Sequence, residues 1–150
     1  MTVSRSDYLT AAYLVGMTDP AASAERTAGL TLQQGLAQAA LGQAQSLVTN
    51  LVPILSARLS AYQAIPAIMG TAGYMAAVNA YLGMAGVPAD LGRVHPDPVT
   101  TQARIDGLNA AVTAAQAAVT AAALAVTAET TSQTGLQAQL AAVNSRIAAG

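Results

Sequence analysis

Apolar residues along this chain recur at spacings of three and four, the period of an α-helix, and they do so from end to end. The first stretch opens on Ser4-Arg5-Ser6-Asp7, a capping box with Ser4 as N-cap and Asp7 at N3. Val3 and Tyr8 stand where a hydrophobic staple would put them, and the pattern predicts a helix from Arg5 to Val15 that stops near Gly16. Asp19-Pro20 then gives an N-cap with proline in the first helical position, a second start. Thr31 to Gln34, following Gly29, reads as a further capping box and predicts a break or kink at 29–31. From Leu32 to Ile65, Ala44, Val48, Leu51, Leu55, Leu59 and Tyr62 form one face. Pro53 interrupts that face and frees the Thr49 carbonyl, and Asn50 is placed to cap a new helix. A third helical stretch is predicted over 67–85, with Tyr74, Val78 and Tyr81 on one side.

Residues 86–99 break the pattern. Gly86, Pro88, Gly92, Pro96 and Pro98 crowd together there, which predicts a linker between a docking region over 1–85 and a separate region over 100–150. That last region carries a heptad repeat. Ile105, Val112, Val119 and Val126 are seven apart, and the same count reaches Gln133, Leu140 and Ile147. With these as a positions, the d positions are Leu108, Ala115, Ala122, Glu129, Leu136 and Val143. β-Branched a residues suit a parallel dimer or trimer, and alanine at d lets helices approach closely. The seam turns polar at Glu129 and Gln133, within Thr130-Thr131-Ser132-Gln133-Thr134-Gly135. Either a continuous helix carries a polar layer there, or the chain turns at 130–135 and residues 136–148 fold back as a helical hairpin.

Composition narrows the class. Hydrophobic residues make up 53% of the 150, aromatics only 3%, and Phe, Trp and Cys are absent, so the apolar content is mostly alanine. Alanine is the best helix former but buries little area per residue. The expected fold is all-α, an N-terminal helical bundle plus a C-terminal heptad coiled coil or helical hairpin, with a core too thin to stand without a partner. The six basic residues are all Arg, at 5, 26, 58, 93, 104 and 146, and they are scattered, which argues against direct nucleic-acid binding. No secretory signal pattern opens the chain.

Candidate chemistry is sparse. His95 is the single histidine and stands between prolines and Asp97 without a nucleophile nearby in sequence. The seven acids form no i, i+4 pair, and Asp7 and Asp19 are explained as helix starts. No catalytic, cofactor or metal residue is expected. The tyrosines at 8, 13, 62, 74 and 81 read as the largest available core and interface residues. The site to expect is therefore a helix–helix interface: Ile105, Leu108, Val112, Ala115, Val119, Ala122, Val126, Leu136, Leu140, Val143 and Ile147. Thr113, Thr120, Thr127 and Thr134, also seven apart, fit solvated b positions better than a flat surface-binding row, which would wind around a straight helix. An alternative is a small membrane protein with a span near 61–89, a stretch without charge. Gln63, Pro66 and Asn79 interrupt it, and no Lys/Arg cluster sets an orientation.

The capped N-terminal helix (Ser4-Arg5-Ser6-Asp7-Tyr8), the Pro/Gly linker and the Val-Thr-Ala-Ala heptads resemble small helical virion proteins of tailed bacteriophages, such as head fibres, decoration proteins and neck or tail accessories. The resemblance implies a non-enzymatic structural protein of a virion, or otherwise of the cytoplasm. Its partners would be copies of itself, as a dimer or trimer, and other proteins of a larger particle.

Overall fold

The computed structural model describes residues 3–84 and 98–150, and among these it is all-α: four α-helices, one short 3-10 turn and no strand. The helices are α1 (Arg5–Met17), α2 (Pro20–Ala64), α3 (Tyr74–Leu82) and α4 (Pro98–Ala149), with the 3-10 turn at Pro66–Ile68. The linker expected at 86–99 lies outside the described residues, except that Pro98 and Val99 open α4.

The N-terminal signals act as the sequence predicts. The Ser4 hydroxyl accepts from the Asp7 N–H at 3.2 Å, and the Ser4 N–H donates to the Asp7 carboxylate at 3.3 Å, completing the capping box. The Asp19 carboxylate accepts from the Ala21 N–H at 3.1 Å and starts α2. Helix α1 runs past Gly16 to Met17, and the Thr18 hydroxyl donates to the Leu14 carbonyl at 2.8 Å.

Three expectations are corrected. No break falls at 29–31: the Thr31 hydroxyl donates back to the Thr27 carbonyl at 2.8 Å, inside α2, and caps nothing. Pro53 does not end the helix either. It lies within α2 on an exposed position, and Asn50 donates to the Ser46 hydroxyl at 3.3 Å rather than capping a new helix. The stretch over 67–85 is not one helix. The chain turns between Ile68 and Tyr74 through Gly70, whose φ of +83° is a conformation that side chains disfavour, and α3 covers only nine residues.

The described chain divides into two compact units, Met1–Gln38 with Ala117–Gly150, and Ala39–Gln116, so that α2 and α4 each contribute to both. In the first unit, Asp7 of α1 pairs with Arg146 of α4 at 3.3 Å, and Arg26 of α2 pairs with Glu129 at 2.9 Å. Position rises along α1 and α2 as it falls along α4, so α4 is antiparallel to both. Leu14 and Val143 are the buried side chains of this unit. In the second unit Leu55, Tyr81 and Ile105 are buried. The Tyr62 and Tyr81 rings stand 5.7 Å apart at 59°. Arg58 Nε and the Tyr81 hydroxyl are buried there without a hydrogen-bond partner, and such an orphaned group costs ~1–3 kcal/mol.

The long helices carry glycines that nothing in the chain requires. A Cβ built at Gly42 or Gly107, both in the second unit, would meet nothing within 4 Å. Gly42→Ala and Gly107→Ala are each expected to stabilise the fold by roughly 0.5–1 kcal/mol, from helix propensity alone. Urea unfolding followed by circular dichroism measures it, and a loss of stability in both would mean those positions are not open helix surface.

Candidate functional site

All eleven residues predicted as a helix–helix interface fall on α4, and every one is buried or half-buried. Glu129 and Gln133 share that face and are half-buried too. Helix α4 is continuous through 130–135, which removes the hairpin turn as a reading. The hydroxyls of Thr130, Thr131 and Thr134 donate to the carbonyls four residues before them, at 3.0, 2.9 and 2.9 Å, so these turn-prone residues are absorbed within the helix.

The seam finds its partner in the same chain. Helix α2 shows the same alternation of four and three: Ser23, Thr27, Leu30, Gln34 and Ala37 in the first unit, then Leu41, Ala44, Val48, Leu51, Leu55, Arg58 and Tyr62 in the second, are all partly or fully covered. The face read from sequence between Ala44 and Tyr62 is part of this seam. The rest escaped notice because Ser23, Thr27, Gln34 and Arg58 are polar. In the second unit Gln45, Val48 and Thr49 line one groove with Asn109, Val112 and Thr113, which sets two central seam residues beside each other. In this structure the α4 seam is occupied by an antiparallel pairing within one chain.

The polar interruption is a layer built across this pairing. One Glu129 carboxylate oxygen accepts from Arg26 at 2.9 Å and from the Gln133 side chain at 3.1 Å. The Arg26 hydrogen bond, assisted by Gln133 and opposed by partial desolvation, holds the Glu129 carboxyl below its ordinary value. Asp7 is also lowered, first by its hydrogen bonds from Ser4 and then by Arg146. These polar groups fix axial register, because shifting α4 by one turn would strand both ion pairs.

What the seam leaves uncovered is the candidate surface. The exposed large apolar residues include Tyr8, Leu9, Tyr13, Val15 and Met17 on α1 and Leu32, Leu36, Leu47 and Ile54 on α2, but among the described residues of α4 only Leu124. Counted from the seam, Leu9 with Tyr13, and Leu32 with Leu36, are i, i+4 pairs on the side opposite it. Gly29 continues the second stripe, and a Cβ there would meet nothing within 4 Å. Helix α1 is therefore apolar around most of its circumference, the pattern of a helix that is covered on more than one side. The first unit buries two apolar side chains while Tyr13 and Leu32 each remain 66% exposed, so its α1–α2 side is the larger reserve of unburied apolar surface.

Acid is expected to loosen the seam. Lowered carboxyl values mean that the stabilisation from Glu129 and Asp7 is complete above their ordinary values and is lost as pH falls through the lowered ones. Glu129→Gln should flatten the fall in stability between neutral and acid pH, read by urea unfolding at several pH values. An unchanged pH slope would contradict the layer. No protein-family model matches the chain, and comparison with curated proteins and with solved structures finds no match.

Proposed function

We propose that this is a non-catalytic structural protein that assembles with copies of itself through the outer side of α1 and α2, as a component of a larger particle of the bacteriophage virion type. The observation that carries this reading is the set of exposed large apolar side chains on α1 and α2: Leu9, Tyr13, Leu32 and Leu36 on the side opposite the seam, with Tyr8 and Val15 flanking it. Each is worth ~1.5–3 kcal/mol when fully removed from water. Because these side chains are already partly covered, burying half of what remains exposed on each of two protomers gives roughly 5–11 kcal/mol, which outweighs an association cost of ~4–15 kcal/mol only at the favourable end, so a reversible oligomer, strengthened by repetition in an array, fits better than an isolated tight dimer. The alanine-rich outer face of α4 suits closer packing against further helices in such an array. The virion setting rests on the resemblance of the capped first helix and the Val-Thr-Ala-Ala heptads.

One observation favours a second reading. Two helical stretches, Pro20–Ile68 and Thr101–Ala149, contain windows of mean hydropathy 1.2 and 1.6 and are long enough to cross a membrane. In the described part of the stretch near 61–89, α2 ends at Ala64 and α3 spans nine residues, too few to cross a bilayer. Against a bilayer stands Glu129, near the middle of the second apolar stretch and paired with Arg26 close to the start of the first.

Sedimentation of the purified chain separates the readings. Concentration-dependent dimers or larger species in buffer are expected, and Tyr13→Lys with Leu36→Glu should give a monomer of unchanged helicity. A wild-type chain that stays monomeric contradicts the proposal, and one that is soluble only with detergent supports the membrane reading.

A further inference from the structure

The second unit holds a cavity that the association surface does not use. It lies where α2 ends and α3 packs back, has a volume of about 330 Å³, and is walled chiefly by Tyr62, Ile65, Met69, Tyr74, Val78 and Tyr81. Three of the chain's five tyrosines meet there in a protein without Phe or Trp. The volume equals that of about eleven waters in liquid, room for a molecule of roughly ten to fifteen non-hydrogen atoms, and it falls within the size range of small-molecule pockets.

Two polar groups at this end are unspent. The Tyr81 side chain is 4% exposed, and its hydroxyl has no hydrogen-bond partner. Arg58 precedes the wall residue Tyr62 by one turn on the same face of α2, and its Nε is likewise buried without a partner. The two are close enough for the Arg58 charge to act on the Tyr81 phenol, opposing the upward shift that burial imposes. Among the described residues Arg26 and Arg146 are each paired with an acid, whereas Arg58, although it stands in the seam, has no such partner. Arg58 is half-buried in the seam, and no acid among the described residues offsets the desolvation of its guanidinium.

We propose that this cavity binds a small aromatic carboxylate, its ring against the tyrosines and Met69 and its carboxylate toward Arg58 and the Tyr81 hydroxyl. The apolar walls select a flat apolar body, since aromatic rings stack offset or edge-on and a thioether packs well against a ring edge. The unpaired guanidinium selects an anion, and a planar carboxylate matches its fork of donors. Arg58 stands one turn before Tyr62 and outside the walls, so the carboxylate lies at the Tyr62 end of the cavity, where it supplies the acceptors that Arg58 Nε and the Tyr81 hydroxyl lack.

The test uses the full chain and two probes of the same shape, 2-naphthoate and the neutral 2-naphthamide, titrated by calorimetry. One naphthoate per chain is expected, bound about tenfold or more tightly than the amide. Arg58→Gln should abolish that preference while leaving amide binding in place. Glutamine already occupies seam positions at Gln34 and Gln133, so this variant keeps the fold, which circular dichroism verifies. Val78→Trp, which fills the cavity, should remove both probes. Equal binding of acid and amide, a preference that survives Arg58→Gln, binding that survives Val78→Trp, or no binding of naphthoate overturns the proposal.

Discussion

Small side chains close the contact between α4 and the helices antiparallel to it. Alanine at Ala115 and Ala122, facing valine at the alternate positions, brings backbones close but removes little area from water per residue. Such a seam holds two helices together only if it is long and in register. Length comes from α2 and α4, of 45 and 52 residues. Register comes from the polar layer of Arg26, Glu129 and Gln133 and from the Asp7–Arg146 pair near the chain ends. Exposed pairs of this kind add little stability, and their value here is in specifying one alignment among several that alanine would tolerate.

The same thinness explains why the outer surface looks unfinished. A seam one residue-row wide covers one stripe of each helix, and the remaining apolar side chains have nowhere to go within the chain. They are not spread evenly. The outer face of α4 is mostly Ala, Thr and Gln, whereas α1 and α2 carry nearly all the large exposed residues. That asymmetry leaves α1 and α2, and not α4, with the large apolar side chains that the proposed self-association would cover. The tyrosine cavity is a third, separate feature, local to the second unit and independent of whether the chain associates.

Much of this was legible in the residues. The phase from Ile105 to Ile147 could be written one residue at a time, and every position in it is covered. The capping box at Ser4–Asp7 and the helix start at Asp19-Pro20 were also legible, because each is a local hydrogen-bond pattern. The partner of the seam was not, since a heptad stripe says that a helix is covered and not by which one. Gly29, Thr31 and Gly135 read as breaks because in isolation they disfavour helix. Inside long helices their small cost of ~1 kcal/mol is outweighed by the seam on either side, and the threonine hydroxyls bond within the helix. The outward stripe of Leu9, Tyr13, Leu32 and Leu36 went unread because it becomes visible only once the inward face is known.

The central claim is that the α4 seam is closed within one chain, antiparallel, and the absence of cysteine makes it directly measurable. Gln45→Cys and Asn109→Cys, introduced together and treated with a short bismaleimide at low protein concentration, place one thiol on each helix at the groove they line and leave the polar layer intact. Isotopically labelled and unlabelled chains are mixed, and the cross-linked peptides are read by mass spectrometry. Closure within the chain predicts cross-links in which both peptides carry the same label, in a product of monomer mass. Mixed-label cross-links as frequent as same-label ones would mean that α4 pairs between chains, and would contradict this account.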